Sequence, residues 1–266
     1  MVGTMEFETN TIVMLGITGA LGLILPISAM IIYKIRHKTA WWVSALIGAG
    51  TFVLFALVLE SLLHLVMLPI VKNSPLWYCV YGALAAGVFE ETGRLVAFRL
   101  VLPKGRRTRE NAVFMGLGHG CIEVIMLVGF TMLAYAGLAI FINSEGLAEA
   151  VTMLTKGDPS LAGTVIEQIS TVKDFSALNV LLTIFERLVA VIFHVCMSVW
   201  VYKAVTEKMW LYPAAIAAHA GLDVFAAMYQ QKIITSIPLL YAIMTVFTVA
   251  VAVITVRMYK KLPEKP

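Results

Sequence analysis

Ten ionisable side chains stand in otherwise apolar stretches of the chain: Glu60, Glu90, Glu91, Glu123, Glu186, Asp223, His64, His119, His194 and His219. Carboxylates and imidazoles are the groups that move protons, activate water and bind first-row metals. A charged side chain at the centre of a bilayer costs roughly 2.5–3.5 kcal/mol on insertion scales, so intramembrane ionisable residues default to function. Their spacing carries information. Glu90 and Arg94, His119 and Glu123, His219 and Asp223, and Glu60 and His64 are each four residues apart, which puts both members on one face of a helix. Four polar faces of this kind must point at protein interior or a wet cavity. Glu90 and Glu91, one residue apart, cannot face the same way. Either is a candidate general base, and Arg94 on the face of Glu90 would hold that carboxylate ionised and oriented. The same residues admit a metal reading. Catalytic zinc takes three or four N and O ligands, and His119, Glu123, His194, His219 and Asp223 are numerous enough, although no HExxH motif occurs. Metal-assisted and metal-free glutamate mechanisms both remain open at this point.

The elements that would position these residues follow from composition. The 266 residues are 60% hydrophobic and 14% charged, against about 45–50% and about 25% in soluble domains. Disorder and an ordinary soluble fold are both excluded, leaving an all-α, polytopic membrane helical bundle. Seven apolar runs long enough to span a bilayer lie at about 12–33, 41–70, 77–102, 111–142, 179–202, 210–228 and 236–257. The second and fourth exceed one straight perpendicular crossing, so they must tilt, kink or extend. No repeat is evident, and one membrane domain over 1–266 is expected, with a catalytic core of about 77–228. The N-terminal residues are acidic (Glu6, Glu8), unlike a cleaved signal peptide, so the first run reads as a retained helix. Cys79, Cys121 and Cys196 all fall in apolar runs without a CxxC pair, so neither disulfides nor a thiolate zinc site is expected.

Lysine and arginine placement sets orientation. With the N-terminus outside and the C-terminus inside, thirteen of the 20 fall in inside segments, Lys265 among them, and four in outside segments. The segment 143–178 is then an external loop, in which Gly157-Asp158-Pro159 separates two amphipathic pieces. Counted from the inner helix ends, Arg94, His119, His194 and His219 lie roughly 12–14 Å deep, and Glu90, Glu123 and Asp223 roughly 18–20 Å deep. Four separate runs thus bring acids and histidines to similar levels. Glu60–His64 and Glu186–Arg187 form an outer polar layer, where His64 reads as a packing residue and Glu186–Arg187 as a structural ion pair. Gly116, Gly118 and Gly120 suit close helix packing. The basic cluster Lys104–Arg109 reads as a topology determinant, and nothing points to nucleic-acid binding.

Four segments occur in order on four runs: Glu90-Glu91-Thr92-Gly93-Arg94, Gly116-Leu117-Gly118-His119-Gly120-Cys121-Ile122-Glu123, His194-Val195-Cys196-Met197-Ser198 and His219-Ala220-Gly221-Leu222-Asp223. This series resembles the glutamate-dependent intramembrane protease clan of CAAX-prenyl endopeptidase/Abi proteins and PrsW proteases, and within it the YhfC-type intramembrane metalloproteases. The basic residue three positions after the second Glu is as in PrsW-like proteins, and Asp223 stands where many relatives have Asn. The resemblance implies an intramembrane endopeptidase in the cell membrane, acting on a membrane-embedded or membrane-proximal peptide. It makes the pair Glu90 and Glu91 the catalytic centre with Arg94. His194 and His219 would position water or bind a metal, and Asp223 would orient His219 or stabilise the oxyanion. His119, Glu123, His194 and His219 are the candidate ligands of a divalent metal such as zinc. Two other classes fit buried Glu/His relays: an ion, proton or metal transporter, and a catalytically silent membrane scaffold of the same fold.

Overall fold

The computed structural model describes residues 5–262; Lys265, counted in the charge balance above, lies outside them. The described residues are helical and contain no strand. The helices are α1 (Thr9–Arg36), α2 (Trp42–Val71), α3 (75–101), α4 (Arg109–Glu145), α5 (Leu147–Thr155), α6 (Ala162–Ser170), α7 (Ala177–Thr206), α8 (Leu211–Gln230) and α9 (Ile237–Tyr259). Six long helices are apolar enough to cross a membrane: α1, α2, α4, α7, α8 and α9. The sequence reading counts seven. The difference is α3, which occupies the third expected position but carries Glu90, Glu91, Arg94 and Arg99. Such a helix enters a bilayer only when protein surrounds its charges.

Reporter fusions decide whether α3 crosses. Reporters placed in the turn at 72–74 and in the segment Lys104–Arg106 should report opposite sides of the membrane. The same side for both would remove α3 from the set of spans.

The two runs too long for one straight crossing are each interrupted by wider π-helical turns. α2 has 30 residues and α4 has 37, or about 45 and 55 Å of ideal helix. α2 is π-helical over Phe52–Glu60 and α4 over Ile125–Phe130, and α3 ends in a π turn at Ala97–Val101. π segments recur at functional sites, and these border Glu60, Glu123 and Arg94.

The described chain forms two compact units. One comprises the chain up to Ile27 with Val124–Arg187. Its core is built from Leu15, Ala139, Ile142, Ala150, Val151 and Ile169. The Asn143 side chain accepts from Phe7 N and donates to Phe7 O, both at 2.8 Å, tying the N-terminal segment to the end of α4. The expected turn is present: Lys156 and Gly157 take positive φ of 52° and 82°, separating α5 from α6.

The other unit comprises Ser28–Glu123 with the chain from Leu188 onward. Its core includes Phe98, Met115, Phe193, Met197, Val201 and Tyr202. Glycines let its helices touch backbone to backbone. A Cβ on Gly118 of α4 would fall 2.1 Å from Ala45 O of α2, and one on Gly116 2.7 Å from Val195 Cα of α7. A Cβ on Gly87 of α3 would fall 2.8 Å from Ile216 O of α8. Backbone cannot yield as a side chain can, so Gly87→Ala should force α3 and α8 apart. We expect about 1–3 kcal/mol of destabilisation, read as a lower unfolding midpoint in detergent. A midpoint equal to that of the unsubstituted protein would contradict the packing account.

Candidate functional site

The close packing of α3, α4, α7 and α8 brings the sequence-picked residues into one connected group. Glu90, Glu91, Arg94, His119, Glu123, His194, His219 and Asp223 all belong to the unit containing Ser28–Glu123, whereas Glu186 belongs to the other. Glu91, Arg94 and His119 are fully buried, and Glu90, His194 and His219 nearly so.

Glu90 Oε2 is the point of convergence. It lies 2.8 Å from His119 Nε2, 3.5 Å from Arg94 Nη2, and 3.7 Å from both His194 Nδ1 and His219 Nε2. Glu91 turns the other way, as its position one residue on requires. Its Oε1 accepts from Arg94 Nη1 at 2.5 Å and lies 2.6 Å from His219 Nδ1, while its buried Oε2 has no hydrogen-bond partner. Arg94 donates through Nη2 to His194 Nδ1 at 2.8 Å. A guanidinium can only donate, so Nδ1 must be the acceptor and Nε2 carries the proton of a neutral His194. That Nε2 lies 2.5 Å from Glu123 Oε2, across from α7 to α4. His219 Nε2 lies 3.3 Å from Asp223 Oδ2, and about a third of the Asp223 side chain is exposed.

The group is rich in negative charge. It holds four carboxylates and one guanidinium: Arg94 pairs with Glu90 and Glu91, while Glu123 and Asp223 lie against His194 and His219. Buried charge without compensation is strongly unfavourable. Around His219 the need is local. If Nδ1 donates to Glu91, the lone pair of Nε2 faces two carboxylate oxygens at 3.3 and 3.7 Å, a position that calls for a proton or a cation. Glu90, His194 and His219 offer ligand atoms that all lie within 4.8 Å of one another. Two imidazoles and a carboxylate are a donor set that zinc uses, so these residues fit a divalent ion. Of the four ligand candidates read from sequence, the structure puts His194 and His219 in this close trio. His119 and Glu123 sit one contact further out, against Glu90 and His194.

Sequence reasoning did not find Glu90 as a possible ligand, because the spacing logic had already given it the role of base. It also missed Thr51, whose Oγ1 lies 3.1 Å from His119 Nδ1, and Tyr81, whose OH lies 2.6 Å from His64 Nδ1. A lone hydroxyl in an apolar run gives no signal until the partner helix is known. His64 also lies 3.3 Å from Glu60. Arg187 donates to Glu186, as an adjacent ion pair should.

Comparison with known proteins agrees with this picture. The family described as YhfC intramembrane metalloprotease matches residues 21–245. The chain is 31% identical over 232 residues to a protein of Bacillus subtilis (strain 168) described as uncharacterized membrane protein YhfC, covering 85% of this chain and 87% of that one. No solved structure matches. The six apolar helices and this membrane-protein relative make the chain a multi-pass integral membrane protein. It belongs to the YhfC intramembrane metalloprotease family.

Proposed function

We propose that the protein is a metal-dependent intramembrane endopeptidase, hydrolysing a peptide bond in a membrane-embedded or membrane-proximal substrate. The observation that carries this reading is the buried convergence of Glu90, His194 and His219. Glu90 Oε2, His194 and His219 would hold the ion, and a bound divalent metal supplies an acidified water and a polarised carbonyl. His194 becomes a ligand through Nδ1 only when Arg94 Nη2 releases it.

The remaining work falls to protein groups. His119 fixes Glu90, Glu123 holds the proton-bearing Nε2 of His194, and Glu91 holds both Arg94 and His219. Histidine ligands oriented by carboxylates in this way are usual around catalytic metals. Asp223 is the carboxylate of the set most open to solvent, and it reaches His219 Nε2. It is placed to take the proton from the attacking water and pass it to the leaving amine. Glu91, fully buried and with Oε1 engaged twice, is an anchor in this scheme.

The test uses purified protein in phospholipid vesicles with a library of membrane-spanning peptides, cleavage being read by mass spectrometry and metal by elemental analysis. Peptide cleavage that stops with chelator and returns with zinc supports the proposal. Cleavage insensitive to chelator but lost in Glu90→Gln would replace it with an ion-free glutamate mechanism. Asp223→Asn should keep its metal and lose about a hundredfold or more in kcat; unchanged kcat would remove Asp223 from the proton path.

A further inference from the structure

One cleft in the site-bearing unit has no place in the scheme so far. It has a volume of about 360 Å³ and lies between α2, α3 and α8, within the range of ordinary ligand sites of about 300–1,000 Å³. Its walls carry His64, Tyr78, Gly82, Ala226 and Gln230, and Asp223 contributes to it as well. Asp223 therefore belongs both to the cleft and to the buried group, through His219. Tyr78 and Gln230 lie near the turns 72–74 and 231–236, so the cleft runs from that end of the helices toward Asp223.

We propose that this cleft is the seat of an extended polypeptide segment next to the scissile bond, and the route by which water reaches the buried group. The occupant rests on the peptidase reading; the cleft as a water route does not. Three features favour an extended polypeptide over a lipid chain. The walls set four polar side chains, His64, Tyr78, Asp223 and Gln230, among Leu68 and small residues, and an acyl chain would leave those polar groups without partners. Tyr78 OH donates to Gln230 Oε1 at 3.1 Å, which leaves the Gln230 amide N–H groups to meet a peptide carbonyl. His64 is pinned by Glu60 at 3.3 Å and Tyr81 at 2.6 Å, so this wall is already ordered. An unfolded backbone at membrane depth needs such partners for its N–H and C=O groups. Finally, the wall is open at Gly82: a Cβ built there meets nothing within 4 Å. Unlike Gly87, this glycine is not required for helix contact, and the space beside it is free for a substrate backbone.

Gly82 therefore gives a clean obstruction. Gly82→Phe should fill the cleft without displacing a helix, and Ala226→Phe should obstruct it from α8. Both are compared with Gly82→Ala and with Gly137→Phe, since Gly137 borders a separate pocket in the other unit and also has open space beside it. Size-exclusion profiles in detergent check folding. On the peptides cleaved by the unsubstituted protein, the two obstructing variants should lose about a hundredfold in kcat/KM, with Gly82→Ala losing less than Gly82→Phe and Gly137→Phe near the starting rate. In parallel, Ala226→Cys is made in a chain with Cys79, Cys121 and Cys196 replaced by Ala, and probed with a membrane-impermeant maleimide. It should label, and adding Gly82→Phe should suppress the labelling. Full cleavage by a well-folded Gly82→Phe variant, or no labelling of Ala226→Cys from either side, overturns the inference and leaves the peptidase reading intact. An unsubstituted protein that cleaves nothing overturns the peptidase reading, and the labelling result then decides the water route alone.

Discussion

Glu90→Gln should abolish hydrolysis and leave a well-folded protein. The amide keeps the size of the side chain and an oxygen for His119 Nε2, 2.8 Å away. It also removes one negative charge from a buried set that has an excess of them, so accumulation and the unfolding midpoint should hold or rise. Turnover should fall by about a hundredfold or more, and bound metal should fall with it. Glu91→Gln should behave differently, although the two residues are adjacent. Glu91 Oε1 serves both Arg94 and His219 at 2.5 and 2.6 Å. Neutralising it leaves a buried guanidinium short of its nearest counter-charge, at an expected cost of about 3–5 kcal/mol. Unfolding midpoints and metal content, measured side by side, separate the two. Equal loss of stability in both variants would contradict the assignment of Glu91 as anchor and Glu90 as metal ligand.

Arg94→Gln should cost at least as much stability as Glu91→Gln. Arg94 is fully buried and touches three members of the group, Glu90, Glu91 and His194. Its removal leaves two buried carboxylates without their cation, so we expect a loss of about 3–5 kcal/mol or failure to accumulate. The same substitution frees His194 Nδ1, so any protein that does fold should regain stability when zinc is supplied, by RT ln(1 + [L]/Kd). Thermal unfolding with and without added zinc measures both parts. A variant as stable as the unsubstituted protein without metal would show that Arg94 is not the charge that balances the site.

Much of this site was legible before any coordinates, for a physical reason. In an apolar chain every ionisable residue stands out, and helical spacing assigns each to a face. The pairs Glu90–Arg94, His219–Asp223 and Glu60–His64 do meet within their own helices, at 3.5, 3.3 and 3.3 Å. Spacing gives the face of one helix and says nothing of the helix opposite. That is why the reach of His119 to Glu90 and of Glu123 to His194 had to come from structure. The second polar layer was read as a unit by depth alone, whereas His64 proves to line a cleft with Asp223. The run count differs because the length of the apolar run 77–102 admits α3, whereas its four charges, Glu90, Glu91, Arg94 and Arg99, exclude it from the helices apolar enough to cross. The glycines of α4 were understood as packing residues, but their partners on α2 and α7 depend on tertiary contacts that no local pattern encodes.

The wide-turn stretch of α2, Phe52–Glu60, ends at the acid that holds His64. Such a stretch is the footprint of extra chain lodged in a helix. Removing one residue from the stretch, Val58 for example, would let the backbone relax to the ordinary repeat with the two flanks still in phase. Glu60 and His64 would keep their place against Tyr81, and the upstream seam at Gly48 would be untouched. The stretch is therefore slack in the chain. A single-residue deletion within it should be better tolerated than one in the regular turns that follow, where the loss rotates everything beyond it by about 100°.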